Sequence, residues 1–322
     1  MNTATFFTAV QDDVALVEER MRAQTGTEQH PDLRVALEHL LSAGGKRIRP
    51  TVVFLVGRML GGPLEKLVTL GASVEMLHTA TLVHDDLIDG SLLRRGMPTL
   101  NARWSPAATV LTGDFLFARA AKLAADTDYL PLMKLFADTL SVIVNGELTQ
   151  LFAAHGLIDR SNYYRRIYAK TASLFEMSTL AAAMVSTEEE TPRAVLKAYG
   201  YQIGMAFQIM DDVLDFSGEQ STVGKPVGSD LLQGLVTLPA IYFAEEYPGD
   251  PDVKLLAEGG WGNQERMDRL INAIRNTNST SKAINEARTH VDKALEALNN
   301  FPPSTERQEL ENLARYIVNR NS

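Results

Sequence analysis

Apolar residues recur at helical spacing through most of the chain, and helices are the elements that this pattern predicts. One such face carries Leu67, Leu70, Val74, Leu77 and Ala80, and a second carries Leu196, Tyr199, Ile203, Phe207 and Met210. Residues three or four apart lie on the same side of a helix, so each set forms one continuous apolar face. No series of strands with alternating apolar and polar residues accompanies them. The pattern predicts an all-α protein built as one large helical bundle.

Clusters of glycine, proline and small polar residues interrupt this pattern and predict where helices end. They lie at 43–50, 61–63, 96–98, 105–106, 188–192, 217–226 and 247–251. Breakers of this kind divide the chain into roughly ten helices. Thr191 followed by Pro192 is typical of a helix start, and Ser217 followed by Gly218 is typical of its end. No break is long or polar enough for an interdomain linker, so we predict a single domain over residues 1–322.

Composition narrows the classes of function. Hydrophobic residues make up 45% of the 322 residues and charged residues 22%, which is typical of a compact globular protein. The formal net charge of −9 opposes binding to nucleic acid, which requires a basic face. The absence of cysteine excludes disulfides, thiolate catalysis and cysteine zinc sites. The sequence contains no apolar run of about 18 residues, the length that a transmembrane helix requires. We therefore expect no transmembrane segment, and we expect a cytoplasmic protein.

A first acidic cluster follows the apolar segment 77–83. Asp85, Asp86 and Asp89 lie in the run Leu82-Val-His-Asp-Asp-Leu-Ile-Asp-Gly90. Asp85 and Asp89 are four residues apart, so they share a helix face, where like charges repel unless a cation lies between them. A cation-binding role would remove that repulsion. A lone cluster of this kind has an equally good interpretation as an ordinary acidic helix end.

The same pattern recurs at the end of a second apolar helix, and this recurrence favours cation binding over an ordinary acidic helix end. Asp211, Asp212 and Asp215 lie in the run Phe207-Gln-Ile-Met-Asp-Asp-Val-Leu-Asp-Phe216. Magnesium usually takes one or two carboxylates and completes its octahedron with water and phosphate oxygens. Two facing clusters would therefore hold a diphosphate through several bridging magnesium ions.

Basic residues concentrate near both acidic clusters despite the acidic composition. Ala43-Gly-Gly-Lys-Arg-Ile-Arg-Pro50 combines glycines with three cations, Arg94-Arg-Gly96 follows the first acidic cluster, and Val223-Gly-Lys-Pro-Val-Gly-Ser-Asp230 follows the second. Each loop alone is typical of a solvated charged surface. Their shared position beside the aspartates favours the binding of an anion.

Together these motifs resemble the trans-isoprenyl diphosphate synthase, or polyprenyl synthetase, family, and most of all its long-chain members. The resemblance is carried in order by Gly44-Gly-Lys-Arg-Ile-Arg-Pro50, His78, Asp85-Asp-Leu-Ile-Asp89, Arg94-Arg-Gly96, Gly113-Asp114, Lys170-Thr171, Gln208, Asp211-Asp-Val-Leu-Asp215 and Gly224-Lys-Pro226. It runs from about residue 33 to residue 240 and is weak beyond residue 245. It implies a bundle of the isoprenoid synthase type, with a central cavity between the two acidic helices, and a homodimer.

The resemblance also implies roles for individual residues. The metal ligands would be Asp85, Asp86, Asp89, Asp211 and Asp215, holding three magnesium ions per active site with support from Asp212. The allylic diphosphate would be held by Arg94, Lys170, Thr171, Gln208 and Lys225. Isopentenyl diphosphate would be held by Lys46, Arg49, His78 and Arg95. The residues predicted to act directly in catalysis are Asp85, Asp89, Arg94, Lys170, Asp211 and Lys225.

The chemistry that fits is the condensation of isopentenyl diphosphate with an allylic diphosphate into a linear trans-polyprenyl diphosphate. Ala80 and Thr81 occupy the helical turn before Asp85, where short-chain members of the family carry bulky aromatic residues. We therefore expect a product of 30 carbons or more, of the kind used for quinone side chains, with transient membrane contact for its release. A geranylgeranyl or farnesyl diphosphate synthase is the alternative.

Two further alternatives differ in chemistry. A class I terpene cyclase also uses aspartates, magnesium and a helical bundle, but its second metal motif mixes Asn, Ser or Thr with Glu. The aspartates at 211, 212 and 215 disfavour it. A non-catalytic subunit of a hetero-oligomeric synthase would keep the fold, yet such subunits often lose acidic or basic site residues, and every expected position is filled here.

Overall fold

Helices predominate in the computed structural model, which describes residues 5–26, 30–42, 44–94, 96–152, 156, 158–217 and 227–320. The amino-terminal part contains α1 (Thr5–Ala9), α2 (Gln11–Arg22), α3 (Pro31–Ser42), α4 (Ile48–Met59) and α5 (Leu64–Ile88). Two short antiparallel strands follow, β1 (Leu93–Arg94) and β2 (Met97–Pro98), in which Leu93 faces Pro98 and Arg94 faces Met97. The next helices are α6 (Leu100–Arg103), α7 (Pro106–Ala125) and α8 (Leu130–Phe152).

The carboxyl-terminal part is also helical. Its first helices are α9 (Arg160–Ile167), a π-helical turn (Tyr168–Ala172), α10 (Ser173–Ser186) and α11 (Glu190–Ser217). They are followed by α12 (Ser229–Leu232), α13 (Leu238–Glu246), α14 (Pro251–Ala257), α15 (Gln264–Arg275), α16 (Ser279–Leu298) and α17 (Thr305–Asn319). The all-α prediction is confirmed. The described residues form more helices than the roughly ten expected, because several short helices join the long ones.

The chain divides into two compact units. The first comprises Met1–Asp138, Met177–Lys197 and Asn300–Asn312, and the second comprises Thr139–Glu176, Ala198–Asn299 and Leu313–Ser322. The first acidic cluster belongs to the first unit and the second cluster to the second. The prediction of a single domain over residues 1–322 stays a prediction.

The close packing of α5 against α7 organises the first unit. The Ser73 hydroxyl on α5 donates to the Ala120 carbonyl on α7 at 2.8 Å, so the two helices approach closely. His84 lies on the same α5 face, and its Nε2 is 3.1 Å from the Val110 carbonyl oxygen. A Cβ at Gly113 would lie 2.2 Å from His84 Nε2, which is why this position excludes a side chain. This packing fixes the end of α5, where the first acidic cluster begins.

A chain of buried and partly buried hydrogen bonds organises the second unit. Tyr163 on α9 donates to Asp212 Oδ2 at 2.7 Å, and Gln208 Nε2 donates to Asp212 Oδ1 at 2.8 Å. Thr171 in the π-helical turn donates to Gln208 Oε1 at 2.6 Å. A Cβ at Gly204 on α11 would lie 2.6 Å from the backbone Cα of Ala172. The π-helical turn is thus held against α11 by hydrogen bonds and by close backbone approach.

Burial shifts the proton equilibrium of Asp212. Loss of hydration, together with the nearby charge of Asp230, raises the pKa of Asp212 from 3.8 to about 7, although the hydrogen bonds from Gln208 and Tyr163 oppose this shift. Burial and the Asp212 charge likewise raise the pKa of Tyr163 well above 10, so its phenol stays protonated as a donor. Asp212 therefore acts within the fold as the acceptor of two hydrogen bonds, one from Tyr163 and one from Gln208.

The Asp212→Asn variant tests this shift through the pH dependence of stability. Because the folded state binds the Asp212 proton more tightly than the unfolded chain does, this group's contribution to stability is fully present only below its unfolded pKa of 3.8 and is lost as pH rises to about 7. We expect the free energy of unfolding of the wild type, minus that of the variant, to fall by on the order of 2 kcal/mol between pH 5 and pH 8. Urea unfolding without metal at both pH values measures it, and a constant difference would contradict the shifted pKa.

Candidate active site

The first acidic cluster lies at the carboxyl end of α5. Asp86 is buried, Asp85 is half-buried, and Asp89 is exposed just beyond the last helical residue. The Asp89 amide donates to the Asp85 carbonyl at 2.8 Å, which completes the last turn. The three carboxylates thus differ in environment although they are neighbours in the sequence.

Arg94 faces Asp86 across a short loop. Its Nε lies 2.8 and 3.0 Å from the two carboxylate oxygens of Asp86, and its Nη2 lies 2.8 Å from Oδ1. The β1–β2 hairpin positions this arginine, and Gly96 at its turn has φ +77°, a conformation that side chains rarely adopt. The structure therefore brings Asp86 and Arg94, which the family resemblance assigned to metal and to substrate, into one ion pair. Arg95 lies outside the described residues.

A groove in the first unit contains two of the residues predicted to bind substrate, His78 and Arg94. Glu75, His78, Thr79, Leu82 and Asp86 line it from one face of α5, and Arg94 and Arg47 border it. His78 and Asp86 are eight residues apart, about two helical turns, so they face the same side. The groove thus places the imidazole predicted for isopentenyl diphosphate beside the first acidic cluster.

The glycine-rich basic loop contributes cations with different environments. Arg47 has φ +48° and is largely enclosed, with its Nε 3.0 Å from Glu18 and its Nη1 2.8 Å from Glu75. Arg47 is therefore committed to holding α2, α4 and α5 together. Lys46 is exposed and Arg49 is half-buried, and they are the two cations of this loop that the resemblance assigned to isopentenyl diphosphate.

The π-helical turn positions two of the predicted diphosphate ligands. Lys170 and Thr171 lie in this turn, and turns of this kind occur frequently at functional sites. The Lys170 ammonium is 3.4 Å from Glu147 on α8. Thr171 donates to Gln208, so two residues that the resemblance assigned to the allylic diphosphate lie next to each other. Glu147 was missed by the sequence analysis, although a carboxylate in the apolar helix 130–152 is a signal that could have indicated it.

The second acidic cluster lies at the carboxyl end of α11, where each aspartate has its own partner. Asp211 Oδ1 accepts a hydrogen bond from Arg320 Nη2 at 2.5 Å. Asp215 Oδ1 accepts from the Ser229 hydroxyl at 2.8 Å, and Asp215 also accepts from the amides of Ser229 and Asp230. Asp215 therefore fixes the start of α12. Lys225 lies outside the described residues.

The donor set of the two clusters fits a hard divalent cation. Carboxylate oxygens are the ligands that magnesium prefers in proteins, and it commonly takes only one or two of them. Among the residues that the structure describes, no group of three or more His, Asp or Glu side chains is arranged to hold a metal ion by itself. Phosphate oxygens of a bound diphosphate would supply the remaining ligands.

The described helices include none that is both long enough and apolar enough to cross a membrane. Two of the helices that carry exposed apolar side chains are α7, with Val110 and Leu111, and α8, with Val144, Leu148, Leu151 and Phe152.

Comparisons with known proteins agree with this geometry. A family model for polyprenyl synthetase matches residues 30–301. The octaprenyl diphosphate synthase of Haemophilus influenzae is 38% identical over 286 residues, covering 88% of this chain and 87% of that protein. The heptaprenyl diphosphate synthase component 2 of Geobacillus stearothermophilus is 37% identical and covers 100% of both chains.

Solved structures give the same result. A polyprenyl synthase from Caulobacter crescentus, crystallised with calcium and isoprenyl diphosphate, superposes with a TM-score of 0.90 at 34% identity and covers 98% of this chain and 97% of that one. The resemblance inferred from the motifs is confirmed by a family match that spans most of the chain. The chain therefore belongs to the polyprenyl synthetase family.

Proposed function

We propose that the protein is a trans-polyprenyl diphosphate synthase that extends an allylic diphosphate with isopentenyl diphosphate. The observation that carries this proposal is the pair of aspartate clusters at the ends of α5 and α11, each with cationic side chains beside it. One relative is named as an octaprenyl diphosphate synthase and another as component 2 of a heptaprenyl diphosphate synthase, which supports long-chain prenyl transfer. A terpene cyclase would also use aspartates and a helical bundle, but it would not consume isopentenyl diphosphate. Consumption of isopentenyl diphosphate therefore distinguishes the two enzymes.

Magnesium is the proposed metal, with three ions per active site. Asp85, Asp89 and Asp211 would be direct ligands, while Asp86 and Asp215 would support the ions directly or through water. Calcium in the Caulobacter structure supports a divalent-cation site in the family, and the hard oxygen donors favour magnesium. When bound, the ions would neutralise the charge that develops on the departing diphosphate.

The cationic side chains would position the two substrates. Arg94, Lys170, Thr171, Gln208 and Lys225 would hold the allylic diphosphate, and Lys46, Arg49, His78 and Arg95 would hold isopentenyl diphosphate. Thr171 and Gln208 are already joined by a hydrogen bond, and Gln208 is fixed by Asp212. The Thr171 hydroxyl donates its one hydrogen to Gln208, so it would have to turn that hydrogen towards the diphosphate, whereas the Gln208 amide has a second N–H to donate.

The reaction follows from this positioning. The allylic carbon–oxygen bond breaks, its electron pair leaves with the diphosphate, and an allylic carbocation remains. The double bond of isopentenyl diphosphate attacks this cation to form the new carbon–carbon bond, and loss of a proton to the departing diphosphate restores an alkene. Water would quench the cation, so the proposed reaction requires that water be excluded from the reacting carbons.

Two neighbouring residues of α5 bear on product length, and the structure distinguishes them. Ala80 has 0% exposed surface and shares the α5 face of Ser73 and His84, which packs on α7. Thr81 is half-buried, and its hydroxyl donates to the His78 carbonyl. We propose that the growing tail passes Thr81, which is small enough to leave room for a product of 30 carbons or more.

A homodimer is the proposed assembly. Leu148 and Leu151 on α8 are 46% and 57% exposed, and Phe152 is 81% exposed. Apolar surface of this kind commonly marks a protein contact. A hetero-oligomer is the second candidate, because one relative is named as component 2 of a heptaprenyl diphosphate synthase. The cytoplasmic location and the membrane contact during product release stay predictions.

The Asp85→Ala variant tests the proposed metal ligand. Losing this carboxylate should lower kcat by about 100-fold or more, because electrostatic stabilisation of the departing diphosphate is removed. Purified protein, magnesium and labelled isopentenyl diphosphate are incubated with ten-, fifteen- or twenty-carbon allylic diphosphates, and the products are sized. Asp292→Ala, at an exposed aspartate of α16, is the matched control. Full activity of Asp85→Ala with magnesium would exclude the proposed role.

The Thr81→Phe variant tests the tail path. A phenyl ring about one helical turn before Asp85 should shorten the main product by about one or more isoprene units, since a turn rises about 5.4 Å. Ala80→Phe is the matched comparison, and there we expect overpacking against α7 that costs about 1–3 kcal/mol of stability. Product sizing and thermal unfolding separate the two effects. Shortening by Ala80→Phe alone would assign the tail to the other face of α5.

A charge-introducing variant tests the dimer. Leu148→Glu combined with Leu151→Glu should convert the dimer to a monomer, because carboxylates would be buried without partners in an apolar contact. Light scattering coupled to size-exclusion chromatography gives the mass directly. Lys134→Glu, on the same helix, is the control. A monomeric wild type that gains activity only with a second protein would favour the hetero-oligomer instead.

A further inference from the structure

Arg320 is a buried cation that contacts the second acidic cluster. It follows directly after α17, and only 4% of its side chain is exposed. Its Nη2 donates to Asp211 Oδ1 at 2.5 Å and to the Phe207 carbonyl at 2.7 Å. Its guanidinium carbon lies 3.9 Å from the centre of the Phe207 ring. A carboxylate, a carbonyl and an aromatic face therefore converge on one cationic group.

The buried Arg320 guanidinium does not use all of its hydrogen-bond donors. Its Nε is one of the few buried side-chain atoms in the described residues that have no hydrogen-bond partner. A buried guanidinium with an unused donor is costly in free energy, and such groups in native proteins require an explanation. Packing alone does not supply one, because an apolar side chain would fill the same space without this cost.

The partner of Arg320 suggests the explanation. Asp211 is the first aspartate of its cluster and, under the function proposed above, a direct ligand of a divalent cation. The Arg320 guanidinium already supplies positive charge to one of its carboxylate oxygens. A divalent cation approaching the same carboxylate would meet both an occupied oxygen and a repelling charge.

We infer that Arg320 competes with the divalent cation for the Asp211 carboxylate. This competition determines how tightly the second cluster binds metal. Without metal, Arg320 neutralises Asp211 and is held by the Phe207 ring. When metal binds, Arg320 must release Asp211 or share it. Occupancy of the metal site is thereby coupled to the position of the Arg320 side chain.

Metal binding by the Arg320→Gln variant tests this inference. The full-length protein is titrated with Mn²⁺ in the absence of any substrate, and free Mn²⁺ is measured by electron paramagnetic resonance. We expect affinity at the Asp211 site to rise roughly three- to tenfold, because a competing charge is removed. Arg315→Gln is the matched control, since Arg315 is exposed and lies on α17, just before Arg320, and its removal should change the affinity far less.

Additional variants assign the effect to the contact itself. Arg320→Lys keeps the charge and should retain most of the competition. Phe207→Leu removes the ring but keeps both charges, and it should also strengthen Mn²⁺ binding by loosening Arg320. In an Asp211→Asn background, Arg320→Gln should have no further effect on affinity. Circular dichroism verifies the fold, and Phe207→Leu provides the test if Arg320→Gln does not fold.

The outcomes separate this inference from the proposed function. Unchanged Mn²⁺ affinity in Arg320→Gln would overturn the inference. Weaker binding would also overturn it, because it would show that Arg320 orients Asp211 for the metal. If Arg320→Gln binds Mn²⁺ more tightly and the wild type transfers no prenyl group to any primer, the inference stands and the proposed function fails.

Discussion

Negative charge gathered at the ends of two apolar helices is the constraint on which the rest of the site depends. Each carboxylate must be balanced, and the protein balances them in different ways. Asp86 and Asp211 each face an arginine supplied by a later part of the chain. Asp215 accepts the amides at a helix start, while burial shifts Asp212 towards its neutral form. The clusters are therefore sets of individually tuned groups, although the sequence presents them as two copies of one motif.

Much of the helical architecture could be predicted from the sequence because helix ends are determined locally. The break at 61–63 falls between α4 and α5, and the break at 105–106 marks the start of α7, where the Ser105 hydroxyl accepts from the Ala108 amide and Pro106 is the first helical residue. The long helix predicted from Pro192 is observed at Glu190–Ser217. The two short strands were not predicted, because a two-residue strand has no periodicity to detect. They arise from the turn at Gly96 and position Arg94.

The site was predictable where a residue's role follows from its neighbours in sequence, and not where it follows from distant ones. Thr171 and Gln208 were both identified, yet their hydrogen bond joins residues 37 positions apart and has no local signature. Arg320 lies 109 positions from Asp211, in a segment where the family resemblance is weak. Arg47 belongs to the basic loop that predicted anion binding, but two glutamates from other helices direct it to packing.

The π-helical turn at Tyr168–Ala172 has a consequence for how this chain tolerates insertion and deletion. Such a turn holds one residue more than an α-helical turn, and one residue rotates everything beyond it by about 100° around the helix axis. The faces of α9 and α10 are thereby set out of phase with each other. Losing one residue here would swing one of the two faces away from its neighbours instead of shortening a loop. A gap at this point in an alignment of related sequences would therefore mark a reoriented binding surface rather than neutral drift in length.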